Sequence, residues 1–283
     1  MVEIDWFGFI WIFIFFVFFI PIINQKILEV KRNILLRKIE KKRNARVITM
    51  IHRQEGFSFL GVPFSRFITI EDSEQVLRAI RMTPDDVPID LILHTPGGLV
   101  LAATQIANAI KRHPAEVRVL VPHYAMSGGT LIALAADKII MDENAVLGPV
   151  DPQLGTIMKT YPAVSVINAV NIKGSKRVDD ETLIYYDLAQ KAMNQLHNLV
   201  CSLLDGKMNE SDTERVCNAL TEGKWTHDYP LTVNDLKNLN LNVETGLPVE
   251  IYQLMSLYPQ PMRVSPTVEF IPEPYKRQPI SKK

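Results

Sequence analysis

A chain of 283 residues that is 47% hydrophobic and 22% charged holds enough apolar mass for a full core, which excludes an intrinsically disordered protein. Lys plus Arg balance Asp plus Glu at 31 each, with a pI near 7.0, so the composition points to no nucleic-acid partner. The two cysteines, Cys201 and Cys217, read as small buried hydrophobes in a reducing compartment rather than as metal ligands.

The first strong feature is Trp6 to Ile23, eighteen residues without a charge that hold seven of the twelve phenylalanines. At about 1.5 Å per helical residue this is just long enough to span a hydrocarbon core. Glu3 and Asp5 precede it and Pro21-Ile22-Ile23 closes it, which is the opposite of a cleavable signal peptide. The expectation is a retained single-pass anchor over residues 1–23, in the membrane through residues 6–23. Residues 24–45 follow as a basic juxtamembrane helix or stalk, with Ile27, Val30 and Ile34 at helical spacing. The stretch Asn24 to Arg46 carries nine Lys or Arg against two Glu, and a basic flank of that kind keeps the following domain cytoplasmic.

From Arg46 the pattern turns to short apolar runs alternating with helical segments. Arg46–His52 and Phe57–Leu60 read as strands, and a helix is expected near Asp72–Arg81 with Asp72 or Ser73 as its cap. Buried strands follow at Asp90–His94 and Glu116–Val121, each handing over to a helix, one over Leu99–Arg112 and one starting near Ser127. Short strands at Asp137–Met141 and Ala145–Leu147, then helices over Val178–Leu204 and Glu210–Leu220, complete a succession that calls for an α/β fold with parallel strands. This domain is expected over residues 46–257. From Pro248 on, the chain holds seven of the eighteen prolines, and this segment reads as an arm, with residues 258–283 as a Pro-rich tail.

Two glycine pairs, Gly97-Gly98 and Gly128-Gly129, stand where a buried strand passes to a helix. Glycine allows a sharp turn and close approach to backbone N–H groups, and the helix start adds unpaired donors. Ser127 lies on the second elbow, with Gly128 N–H beside it as a donor for a tetrahedral oxyanion. Taken singly, each motif is also what an N-cap or a close-packed turn looks like.

Together, L-I-L-H-T-P-G-G (Leu91 to Gly98) and A-M-S-G-G-T-L-I-A-L-A-A-D-K-I-I (Ala125 to Ile140) resemble the Clp protease proteolytic subunit and signal peptide peptidase A. A-V-L-G-P-V-D-P-Q-L-G (Ala145 to Gly155) and E-G-K-W-T-H-D-Y-P-L-T (Glu222 to Thr232) extend the resemblance, which is closest to the serine dehydrogenase proteinase (SDH-type) group and spans roughly Arg46 to Leu257. The resemblance implies the ββα spiral shared with crotonases, assembly into rings or trimers, Ser127 as nucleophile, and Gly97, Gly98 and Gly128 as oxyanion donors. It leaves the general base open. No His stands in the turn Gly148-Pro149-Val150-Asp151, where the Clp subunit has one. Lys173 and Lys176 occupy the region of the lysine base of signal peptide peptidase A, and such a lysine must have its pKa depressed by burial or by cations. His227 with Asp151 would supply the Ser, Asp, His order described for the SDH-type group.

His94 and His123 sit at strand ends near the glycine turns and read as structural, and His52, His113 and His197 as surface or core. No H-E-x-x-H, aspartate cluster, P-loop or G-x-G-x-x-G occurs, so neither a metal nor a cofactor is expected. The leading expectation is a membrane-anchored, ATP-independent serine endopeptidase acting on polypeptide as a homo-oligomer. The rivals are a crotonase-type acyl-CoA enzyme and a catalytically silent membrane scaffold.

Overall fold

The computed structural model describes residues 6–52, 57–59, 62–64, 67–156 and 159–258. Helix α1 (Trp6–Arg43) is one continuous element of 38 residues. It enters β1 (Arg46–Ile51) through a short turn in which Asn44 has φ 47°. The chain continues through the antiparallel pair β2 (Phe57–Phe59) and β3 (Val62–Phe64), then α2 (Ile70–Arg81), β4 (Ile89–His94), α3 (Val100–Arg112), β5 (Val117–Val121) and β6 (Tyr124–Ala125). Next come α4 (Gly128–Ala135), β7 (Lys138–Met141), β8 (Val146–Leu147) and the antiparallel pair β9 (Gln153–Thr156) and β10 (Lys159–Pro162). Helices α5 (Ala163–Lys173), α6 (Asp180–Leu204), α7 (Glu210–Thr221) and α8 (Val233–Asn238), strand β11 (Val243–Thr245) and α9 (Val249–Ser256) complete it.

The expected α/β fold is present as a five-stranded sheet in the order β1-β4-β5-β7-β11, with every pairing parallel. Such sheets are covered on both faces, and β4 shows it by being buried at all six positions. Leu91 and Leu93 of β4 and Val117, Val119 and Val121 of β5 join the larger core with α3, α4, α6 and α7. The alternate residues Ile92 and Leu120 meet Ile39 of α1 and Ile251 and Leu254 of α9 on the other face. A fully buried side chain of this size contributes about 1.5–3 kcal/mol.

Polar contacts fasten α1 to that second face. The fully buried Asp90 receives both Arg43 and, at 2.6 Å, Arg118. Lys42 reaches Glu250 of α9 at 3.0 Å and holds its carboxyl below the usual carboxylate range.

Several expectations are corrected. Helix α2 is capped by Thr69 rather than by Asp72 or Ser73: Thr69 and Asp72 form a reciprocal capping box, so Asp72 serves three positions inside. Residues from Pro248 begin α9, whose Ile251 and Leu254 are buried, so the arm is a packed helix as far as Ser256; residues 259–283 lie outside the described residues. Cys201 and Cys217 are joined in a disulfide between α6 and α7, with Cα atoms 5.6 Å apart, rather than standing as separate thiols. Ile27, Val30 and Ile34 are exposed, and α1 instead docks through Ile39 with Leu35 and Leu36 beside it. Among the described residues no helix is long and apolar enough to cross a membrane; the expected span falls mostly on positions between 6 and 21 whose side chains are outside those described.

Candidate active site

The site lies at the carboxyl edge of the parallel sheet, where ligands bind in open α/β folds. After β4, Thr95 forms a bridge to Ala125, and Gly98 forms one to Ile68. Ile68 N donates to Gly97 O at 2.7 Å and Leu99 N to Ile68 O at 2.9 Å. These bonds hold Gly97 at φ 106° and Gly98 at φ 154°. A Cβ on Gly98 would stand 2.3 Å from the Ile68 backbone, so only glycine fits there.

Ser127 opens α4 with φ 50° and ψ −113°, and its hydroxyl makes no capping bond. A non-glycine residue in such a conformation costs on the order of 1–3 kcal/mol and persists only when its surroundings impose it. They do so here: Met126 N donates to Thr95 O at 3.0 Å, and Gly129 N to Met126 O at 2.7 Å. Strain at a half-buried serine whose hydroxyl is left free of local bonds is the geometry of an exposed nucleophile, not of an N-cap.

The neighbouring amides divide into used and free. Gly97 N donates to Thr95 Oγ1 at 3.2 Å. The amides of Gly98 and Gly128 have no acceptor among the described residues, and the Gly98 nitrogen lies 3.6 Å from where a Gly128 Cβ would stand. Two free N–H groups therefore lie close together beside Ser127, whereas Gly97 shapes the turn with its own amide occupied.

A cavity of about 270 Å³ is lined by Ser127, Gly98, Gly128, Asp151 and His227 together with apolar Val100, Leu131, Val150 and Leu196. His227 Nδ1 and Asp151 Oδ1 are 2.6 Å apart. Gln153 Nε2 donates to the other carboxylate oxygen at 2.6 Å. Asp151 is buried, and the His227 side chain is about one-third exposed. Both segments are held by backbone: Leu147 and Leu231 exchange bonds of 3.0 and 2.9 Å, and Val150 N donates to Leu220 O at 2.9 Å. Thr130 on α4 links the two halves, donating to Gly148 O at 2.8 Å and accepting from Gly148 N at 3.1 Å. Lys173 and Lys176 are elsewhere, at the end of α5 and in the 3₁₀ turn Ser175–Arg177. Both are exposed, and neither lines the cavity.

Sequence reasoning missed the supporting residues. His52, read as surface or core, is buried with Nδ1 2.8 Å from Thr95 Oγ1 and Nε2 3.4 Å from Asp72. A chain from Asp72 through His52 and Thr95 thus reaches Gly97. The threonines of H-T-P-G-G and S-G-G-T were the available signal, since a hydroxyl beside a turn commonly bonds the turn backbone. His94 and His123 stack at 5.8 Å against Tyr124. His113 meets Val87 O, and His197 meets Asn218.

A family profile described as ClpP-like SDH-type serine proteinase matches residues 3–283. Two uncharacterised proteins of Methanocaldococcus jannaschii are 59% identical over 268 residues (95% of this chain, 92% of the relative) and 53% identical over 278 residues (98% and 93%). Among solved structures, a mutant of the 1510-N membrane-bound stomatin-specific protease is 21% identical, covering 68% of this chain and 79% of its own, with a TM-score of 0.45. ClpP1 from Listeria monocytogenes is 17% identical, covering 75% and 98%, with a TM-score of 0.46.

Proposed function

The chain belongs to the ClpP-like SDH-type serine proteinase family, and from that membership we propose that it is a membrane-anchored, ATP-independent serine endopeptidase working through Ser127, His227 and Asp151. The observation that carries the reading is the single cavity lined by all three, with His227 Nδ1 2.6 Å from Asp151.

In this reading Ser127 Oγ attacks the scissile carbonyl carbon while His227 Nε2 takes its proton. Asp151 fixes the imidazole tautomer through Nδ1 and stabilises the imidazolium, as in other Ser-His-Asp sites. The oxyanion forms against the Gly98 and Gly128 amides, and His227 returns the proton to the leaving amine. Water then cleaves the acyl-enzyme with His227 again as base. The apolar wall of Leu131, Val150 and Leu196 suits an apolar side chain next to the cut bond. Lys173 and Lys176 are not the base in this reading, because both are exposed and neither lines the cavity that holds Ser127. Both oxygens of Asp151 are held, by His227 and Gln153, and no other carboxylate among the described residues lines this cavity, which supports the peptidase reading over acyl-CoA chemistry.

The anchor is supported by the uncharged run Trp6–Ile23 at the start of the 38-residue helix and by its basic flank, which also supports a cytoplasmic domain. Homo-oligomerisation is supported by the apolar side chains that α5 and α6 leave exposed, at Ile172, Ile184 and Leu188. A fluorophosphonate probe tests the core of the proposal. The wild-type protein is expected to be labelled and to digest casein without ATP. Ser127→Ala is expected to lose both with an unchanged melting temperature. Retained casein cleavage by that variant would remove the nucleophile.

A further inference from the structure

The orientation of α1 relative to the sheet fixes which way the site faces. Arg43, at the end of α1, pairs with Asp90, the second residue of β4, and shares it with Arg118, the second residue of β5. This marks the amino edge of the strands. Four residues back, Ile39 packs in the cluster that holds Ile92 and Leu120 at mid-strand. Seven further back, Arg32 lies 4.9 Å from the ring of Tyr258. Tyr258 meets Thr49 through its hydroxyl at 2.9 Å and shares a cavity wall with Ile51 and His52, at the carboxyl end of β1. Followed toward its start, α1 therefore climbs antiparallel to the strands and leaves the domain at their carboxyl edge. Val30, Ile27 and Ile23 are exposed, clear of the domain. Ser127 and its cavity lie at that same carboxyl edge, after Thr95 and Ala125.

We infer that the active-site mouth faces the bilayer and that the substrate class is the juxtamembrane segment of membrane-inserted polypeptides, cut within about ten residues of their emergence. This rests on the anchored-peptidase reading above. From Ile23 to Arg32 is nine residues, a rise of about 14 Å along a helix. An extended substrate covers that height in about four residues at roughly 3.3 Å each, and a slanted path lengthens this to about ten. Headgroups occupy a further 5–8 Å of the gap, as the difference between hydrocarbon and full bilayer thickness gives. No folded domain fits beneath the site, whereas an unfolded strand does. The continuous helix and its ion pairs to Asp90 and Glu250 make α1 a fixed strut rather than a loose tether, so the height is set by helix length.

The test uses full-length protein co-reconstituted in phosphatidylcholine–phosphatidylglycerol vesicles with a single-pass substrate. The substrate's unstructured tail repeats one leucine-containing cassette every five residues, so that equivalent sites occur at every height. Mass spectrometry of released tails is expected to place the cuts in the first two cassettes. Inserting eleven helix-forming residues between Glu29 and Val30 lengthens α1 by about 16 Å with nearly unchanged rotational phase. That insertion is expected to move the cuts outward by about five residues. Cuts scattered along the tail, or unmoved by the insertion, would overturn the inference if casein is still digested by both proteins. Failure to digest casein as well as tail would instead overturn the peptidase reading, and recovery of the protein outside the vesicle fraction would overturn the anchor.

Discussion

The segment around Lys173 and Lys176 and the segment around His227 are both short, polar and placed after Ser127 in sequence, yet the fold treats them differently. The first ends α5 and passes through Gly174 into a 3₁₀ turn, with both ammonium groups exposed. The second is locked by paired backbone bonds between Leu147 and Leu231, and its imidazole is turned by a buried carboxylate that Gln153 also holds. A base must keep its geometry within a few tenths of an ångström, and only the second segment has the supporting contacts to do so. What sets the two candidate bases apart is the number of fixed neighbours, not the residue type.

The largest effects should come from the pinned segment. His227→Ala is expected to lower casein turnover by about 10⁶-fold, as loss of the base does in serine proteases, and Asp151→Asn by about 10⁴-fold, the outcome when a triad imidazole is held in the wrong tautomer. Purified variants assayed beside wild type decide this, and a variant within tenfold of wild type would break the triad. The double variant Lys173→Ala, Lys176→Ala sharpens the contrast from the other side: turnover within about twofold of wild type is expected, since exposed residues away from the reacting atoms contribute little. A hundredfold loss there would return the base to a lysine.

The smallest effect concerns the far end of α4, the helix that Ser127 opens. Lys207 Nζ donates to Leu134 O at 2.9 Å and Ala136 O at 2.6 Å, and burial lowers its pKa to about 8. Below pH 8 the folded and unfolded chains hold this proton alike. Between pH 8 and the ordinary lysine value of about 10.4 the unfolded chain binds more, so this group's contribution to folding rises with pH. The melting temperature of wild type relative to Lys207→Met should therefore improve from pH 8 to pH 10, and a constant difference would exclude the buried ammonium as its source. Gly98→Pro, an obvious way to delete the proposed oxyanion donor, is a poor probe. At φ 154° against the Ile68 backbone, proline cannot be seated, and a loss of activity would report folding.

The succession of strands and helices, the elbow at Ser127 and the two glycine turns were legible from the chain because each is written locally. Apolar runs of strand length, a Pro-Gly-Gly and a Ser-Gly-Gly at strand-to-helix junctions need only neighbouring residues to be recognised. The cap of α2 lies at Thr69, three or four residues before the expected Asp72 or Ser73, because Thr69 and Asp72 bond each other reciprocally in a capping box. The pairing of Cys201 with Cys217 depends on α6 and α7 lying side by side, and the chain alone does not state that. Three further choices belonged to the tertiary structure. The Gly97 amide is occupied by Thr95, itself backed by His52. His227 meets Asp151 across 76 residues, a contact set by where β8 and the turn at Gly148 hold their segments. The direction of α1 against the strands follows from Arg43 and Arg32 landing at opposite ends of the sheet. Local sequence sets which backbone shapes a segment can adopt, but which groups are left free at a site, and which way that site faces, depends on partners that only packing brings together.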